Sequence, residues 1–227
     1  MPVSLALVDF VPVLLTAVGL RLLWRLVGAA DARVARWAAL GATLVVAGGL
    51  AKAAWKLIVA VGGPDLPILY AALYPGLALG YLLVAAAAVA AAGAPSTEGS
   101  RGTRRPWLPA ALGLGLLLPF SVAIGPEGGR LVPLAWLVTG GSASIALDLV
   151  LARRALAGGL GSAATLLIAH VVATLALQAL ARPADQSVAL QWVQELLNCA
   201  TQGAFVVAVA ALARHRPAAR EAAPRTS

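Results

Sequence analysis

Long apolar runs alternate with short polar or turn-forming stretches along this chain. A membrane-spanning helix needs about 20 predominantly apolar residues, and seven runs come close to that length. The pattern predicts helices over residues 3–26, 37–61, 66–92, 107–124, 131–152, 162–181 and 186–212. We therefore expect an all-α integral membrane protein with one seven-helix transmembrane bundle over residues 1–213.

The last predicted helix carries a polar stripe. Gln191, Glu195, Asn198 and Gln202 follow one another at spacings of four, three and four. At about 100° per residue, these side chains lie within an arc of about 60° on one face. A carboxylate and three amides on a membrane helix are costly unless the bundle interior provides partners. The stripe is therefore predicted to face inward.

Three charged residues on earlier helices fall in the same half of the bundle as the stripe: Asp9 on the first, and Lys52 and Lys56 on the second. A lone charge deep in a membrane helix costs roughly 2.5–3.5 kcal/mol. We therefore predict that Glu195 lies within salt-bridge reach of Lys52 or Lys56. Two alternatives stay open: Lys56 extends to the headgroups, and Asp9 is a solvated or lipid-facing end residue.

Aromatic and amide side chains at the same level are suited to line a pocket. The candidate ligand-binding residues are Asp9, Lys52, Trp55, Lys56, Tyr70, Tyr74, Gln178, Gln191, Trp192, Glu195, Asn198 and Gln202. His170 is a candidate proton relay, with an interhelical hydrogen bond as the structural alternative. Asp148 precedes Arg153 and Arg154 by about a turn, which we interpret as a local surface ion pair.

The composition narrows the class of protein further. With 61% hydrophobic and 11% charged residues and a mean hydropathy of +0.89, the chain is unlike soluble domains. One cysteine excludes an internal disulfide and a zinc site with several thiolates. HExxH and GxSxG motifs are absent. We therefore predict no metal, no cofactor and no catalytic residues. A composition rich in alanine and arginine, with two lysines and one methionine, is typical of high-GC bacterial genomes.

The net charge of +8 is distributed unevenly across the predicted bundle. Seven helices place 13 of the 17 basic residues on the side of the C-terminus. The positive-inside rule then puts the N-terminus outside and the C-terminus in the cytoplasm, with residues 214–227 as a basic disordered tail. This indicates a multi-pass protein of the bacterial cytoplasmic membrane. Its arginine-rich face is suited to anionic lipid and not to nucleic acid.

Three functions fit this pattern. The first is binding of a small amphipathic molecule or lipid at the polar level, in a receptor-like or transport-related role. In the second, the chain is an accessory or assembly subunit of a membrane complex, and a membrane-protein partner covers the stripe. The third is a membrane-embedded enzyme with Glu195 as acid or base.

Overall fold

The computed structural model describes residues 2–92, 128–180 and 187–215, with the side chains of the middle stretch described from residue 132. These residues form eight helices. They are α1 (Val3–Val8), α2 (Phe10–Ala30), α3 (Ala32–Ala60), α4 (Pro67–Ala71), α5 (Leu73–Ala92), α6 (Gly128–Ala157), α7 (Gly161–Leu180) and α8 (Val188–Arg214). The described part contains six helical stretches long and apolar enough to cross a membrane, so the chain is a multi-pass membrane protein. The helix predicted over residues 107–124 and nearly all of the predicted tail lie outside the described residues.

Two of the six spans are broken near their first turns. The breaks fall at Asp9, between α1 and α2, and at Ala72, between α4 and α5. Each break stands three residues before a proline, Pro12 or Pro75. Proline has no N–H, so the carbonyl four residues earlier loses its helical hydrogen bond and the helix is interrupted there.

The gap predicted between the first two helices, after residue 26 and before residue 37, is wrong. α2 continues to Ala30 and α3 begins at Ala32, so Asp31 alone joins them. Its carboxylate accepts hydrogen bonds from the backbone N–H groups of Arg33 at 2.8 Å and Val34 at 3.3 Å. This N-cap satisfies amides that would otherwise be unpaired, which lets the helix begin about a turn earlier than the apolar pattern suggests.

The six spans form a closed ring in which each packs on two neighbours, in the order α2, α3, α5, α6, α7, α8 and back to α2. α2 and α8 run parallel, because Thr16 meets Gln202 and Gly19 meets Phe205. The N-terminal end of α2 and the C-terminal end of α8 therefore lie at opposite ends of the bundle. We call them the Asp9 end and the Arg214 end.

The halves of the ring at these two ends differ in their filling. Large apolar side chains that are at most 1% exposed pack together toward the Arg214 end; among them are Leu20, Leu23, Leu147, Leu151 and Leu167. The half toward the Asp9 end holds the buried charges and a cavity. The packed apolar half therefore lies directly beneath the polar half and forms the floor of its cavity.

Glycines bring α3 and α5 close together along one seam. A Cβ added to Gly41 would lie 2.6 Å from the carbonyl oxygen of Gly80, and one added to Gly76 would lie 2.9 Å from that of Leu44. No real Cβ tolerates such distances without a shift of the backbone. The seam therefore fixes the spacing of the two helices, as small residues do in membrane bundles.

Candidate functional site

Three charged side chains from three helices meet at the Asp9 end. The Lys56 ammonium on α3 donates to Oδ1 of Asp9 at 2.7 Å and to Oε1 of Glu195 on α8 at 2.6 Å. Asp9 is 4% and Glu195 7% exposed. The predicted contact between Glu195 and Lys52 or Lys56 is therefore confirmed for Lys56. We call Asp9, Lys56 and Glu195 the ion triad.

The ion triad also decides between the alternatives for its members. Lys56 does not extend to the headgroups, because its ammonium is held by two carboxylates inside the ring. Asp9 is neither solvated nor lipid-facing, since it is buried at the break between α1 and α2 and its carboxylate bonds to Lys56. An ammonium shared by two carboxylates leaves one surplus negative charge, and Lys52, one turn earlier on α3, lies close enough to offset it.

A cavity of about 230 Å³ lies inside the ring next to the ion triad, and all six spans contribute to its walls. Its polar lining comes from Asp9, Thr16, Lys52, Tyr74, Tyr81, Ser144, His170, Thr174, Gln178, Asn198 and Gln202. The Thr16 hydroxyl, which has one hydrogen to donate, lies 2.9 Å from Oε1 of Gln202 and 2.7 Å from the carbonyl oxygen of Pro12. Such a space is large enough for several waters or a small organic molecule.

The predicted binding residues divide into two groups in the structure. Six line the cavity: Asp9, Lys52, Tyr74, Gln178, Asn198 and Gln202. Trp55, Lys56, Tyr70, Gln191, Trp192 and Glu195 do not line it. Lys56 and Glu195 belong to the ion triad, and their charged groups pair with each other. This pair holds α3 and α8 together.

The aromatic residues near the Asp9 end form a rim outside the cavity. The rings of Trp55 and Tyr70 lie 5.0 Å apart, and the Tyr70 and Tyr74 hydroxyls are hydrogen-bonded at 2.7 Å. The indole N–H of Trp55 donates to Asp65 at 2.7 Å. Tyr74 alone of the three aromatic residues reaches the cavity, and the other two pack along the link between α3 and α4.

A second polar pair closes the cavity toward the Arg214 end. Nδ1 of His170 on α7 lies 2.7 Å from Oδ2 of Asp148 on α6, and the two residues are 3% and 1% exposed. The interpretation of Asp148 as a surface ion partner of Arg153 and Arg154 is therefore wrong. Asp148 lies on a different face of α6 from those arginines. Its side chain points into the ring, where His170 of the neighbouring helix is its partner.

The other polar residues of the cavity could not be recognised from the sequence pattern. The cavity is also lined by the hydroxyl groups of Tyr81, Ser144, Thr16 and Thr174. Hydroxyl groups are common in membrane helices because they bond to carbonyls of their own helix, so their presence does not by itself indicate a cavity. Tyr81 and Ser144 face each other across α5 and α6 beside Asp148. Spacing on single helices could not identify them, because the cavity is defined by six helices at once.

Compared with protein-family models, curated proteins and solved structures, the chain matches none of them. The function therefore has to be argued from the cavity and its charges. Within the described ranges, no three His, Cys, Asp or Glu side chains come together as metal ligands.

A shallow groove lies at the Arg214 end, on the outer surface of α2 and α3. Trp24, Arg25 and Arg36 border it, together with the small residues Gly28, Ala32, Ala35 and Ala39. All three large side chains are exposed. Two guanidinium groups beside an indole ring at a helix end are suited to hold the phosphate of an anionic lipid.

Proposed function

We propose that this membrane protein binds a small amphipathic molecule or a lipid headgroup in the cavity of its helix ring, in a receptor-like or transport-related role. The observation that carries the proposal is the convergence of six spans on one polar cavity. Amide, hydroxyl, ammonium and imidazole groups surround it, with apolar wall positions such as Val45 and Leu137 between them. Ligand sites in membrane bundles have this mixture of apolar wall and a few polar groups.

The proposal includes a seven-helix topology with the N-terminus outside and the C-terminus in the cytoplasm. It is supported by the direction of α5 and α6, which are consecutive among the described spans yet run parallel. A Cβ at Gly140 would lie 3.1 Å from Cα of Ala78, and Ser144 faces Tyr81, so later residues meet later residues. The proposed seventh helix, which follows α5 and precedes α6 in the sequence, is consistent with this parallel direction.

The accessory-subunit alternative is less well supported. It requires the stripe on α8 to face a partner protein, whereas Glu195 bonds to Lys56, and Gln202 accepts a hydrogen bond from Thr16 of the same chain. The enzyme alternative needs Glu195 to reach a substrate, and this carboxylate does not line the cavity. Binding is therefore the function favoured by the arrangement of the polar groups.

Native mass spectrometry of the detergent-purified protein tests the proposal. Wild-type protein is expected to retain a small molecule or lipid that Asn198→Leu, which places an apolar side chain in the cavity wall, has lost. Gln191→Leu is the matched control, because Gln191 lies two turns earlier on the same face of α8 and does not line the cavity. Equal retention by the two variants, or wild-type protein without any adduct, would contradict it.

A further inference from the structure

The floor of the cavity contains an unsatisfied hydrogen-bonding atom. Nε2 of His170 is buried and has no hydrogen-bond partner among the described residues, although the ring lines the cavity. In the neutral imidazole, donation from Nδ1 of His170 to Asp148 leaves Nε2 with a lone pair. The atom offered to an occupant of the cavity is therefore an acceptor.

The charges inside the ring point to the same chemistry. The buried or cavity-lining charged groups of the described spans are three carboxylates, Asp9, Asp148 and Glu195, and two ammonium groups, Lys52 and Lys56. The two ammonium groups offset Asp9 and Glu195 at the Asp9 end. Beside a neutral His170, an ionised Asp148 carries the remaining negative charge; its Oδ1 also lacks a hydrogen-bond partner within the described residues, as does Oε2 of Glu195.

The lining near the floor favours a cation as well. Tyr81 stands in the cavity wall beside Asp148, and tyrosine rings attract cations over their faces. Lys52 would repel a cation, but its charge also interacts with the Asp9 carboxylate, which offsets that repulsion. The ring centroids of Phe205 and His170 are 5.2 Å apart, so the two residues lie at the same level of the bundle. Phe205 follows Glu195 by ten residues on α8. The floor is therefore about 15 Å from the ion triad at 1.5 Å per residue.

We propose that the cavity binds a small organic ammonium ion, whose N–H group donates to Nε2 of His170 and whose charge balances Asp148. This inference rests on the proposed binding function and adds the chemical class of the ligand. Asp148 acts as a positioning residue, since it fixes the imidazole tautomer and does not itself line the cavity.

The test uses four probes of similar size or charge on full-length protein in detergent near pH 7.5. Binding of n-butylammonium, n-butanol, butyrate and tetramethylammonium is measured by the change in the ¹⁵N shifts of His170. The His215→Gln background leaves His170 as the sole histidine in the chain. The free protein should show the tautomer with Nδ1 protonated, and n-butylammonium should bind at least tenfold more tightly than the other three probes and shift Nε2.

The outcomes separate this inference from the proposed function. Butanol or butyrate binding as tightly as butylammonium overturns the ammonium assignment and leaves the binding function standing. Equal binding of tetramethylammonium, which has the charge but no N–H, overturns the hydrogen bond to His170. If no probe binds, the ammonium inference fails, and the retention experiment on Asn198→Leu and Gln191→Leu decides the binding function.

Two variants extend the test. Asp148→Asn removes the charge and should reduce butylammonium affinity at least tenfold, with little change for butanol. Thr165→Val is the control, since Thr165 is exposed on α7 and bonds only to its own helix carbonyl. Should Asp148→Asn fail to fold, the comparison of probes on wild-type protein still decides the question.

Discussion

Lys56 and Glu195 are 139 positions apart in sequence, and their charged groups meet at 2.6 Å. Asp9 joins the same ammonium from a third helix. The contact therefore ties the first, second and last described spans together at one level of the bundle. Of the three residues of the ion triad, only Asp9 lines the cavity. The ion triad therefore holds together the helices that form the wall of the candidate binding site.

Replacing Lys56 by Met should destabilise the protein strongly. The change leaves two carboxylates buried side by side without their counter-ion, a loss of about 3–5 kcal/mol for a broken buried pair. Thermal unfolding in detergent measures the effect. Lys52→Met is the matched control on the same face of α3, and it should cost less because Lys52 has no ion-pair partner within 4.0 Å among the described residues. The double variant Lys56→Glu/Glu195→Lys should recover most of the lost stability. Equal losses of stability in Lys56→Met and Lys52→Met would argue against the ion triad.

Adding one methyl group at Gly41 should also destabilise the ring. Its Cβ would overlap the backbone of α5, which lies 2.6 Å away, so Gly41→Ala should cost about 1–3 kcal/mol. Gly203→Ala on α8 is the control, because nothing lies within 4 Å of the added carbon. It should be neutral or stabilising, since alanine has the higher helix propensity. Similar unfolding temperatures for the two variants would show that the α3–α5 seam tolerates expansion.

The groove bordered by Trp24, Arg25 and Arg36 should retain anionic phospholipid. Removing both guanidinium charges in Arg25→Gln/Arg36→Gln is expected to weaken retention by about 1 kcal/mol per arginine. Native mass spectrometry with phosphatidylglycerol added to the detergent gives the bound fraction. Arg33→Gln is a suitable control, since Arg33 is exposed between them in sequence but does not border the groove. An equal loss in the control would indicate non-specific attraction to the basic face.

The proposed orientation can be read from single cysteines in a Cys199→Ser background. Val61 and Ala157 are both exposed, at the Asp9 end and the Arg214 end respectively. A membrane-impermeant thiol reagent applied to intact cells should label Val61→Cys at once, and Ala157→Cys only after the membrane is permeabilised. Labelling in the opposite order would reverse the orientation and the interpretation of the arginine-rich face.

The apolar pattern predicted the six described spans well because length and hydropathy are properties of single segments. Even there, the ends shifted where a side chain intervened, as when the Asp31 cap extended α3 toward α2. The breaks at Asp9 and Ala72 follow from prolines visible in the sequence, but which residue would mark each break depended on local geometry.

Pairing across helices could be predicted only where the candidates were few. Two lysines and one glutamate in the spans left little choice for Glu195, and one of the two lysines is indeed its partner. Asp148 is close to Arg153 and Arg154 in sequence and close to His170 in space. The rotation of α6 about its own axis directs the Asp148 side chain toward His170. Rotation is set by packing of the whole ring, which no single helix encodes.

The packed leucines between His170 and the Arg214 end have an electrical consequence. Hydrocarbon side chains offer neither waters nor acceptors along which a proton or metal ion could move, so this layer is an insulator. Part of the membrane voltage is therefore expected to fall across it, between an occupant of the cavity and the compartment at the Arg214 end.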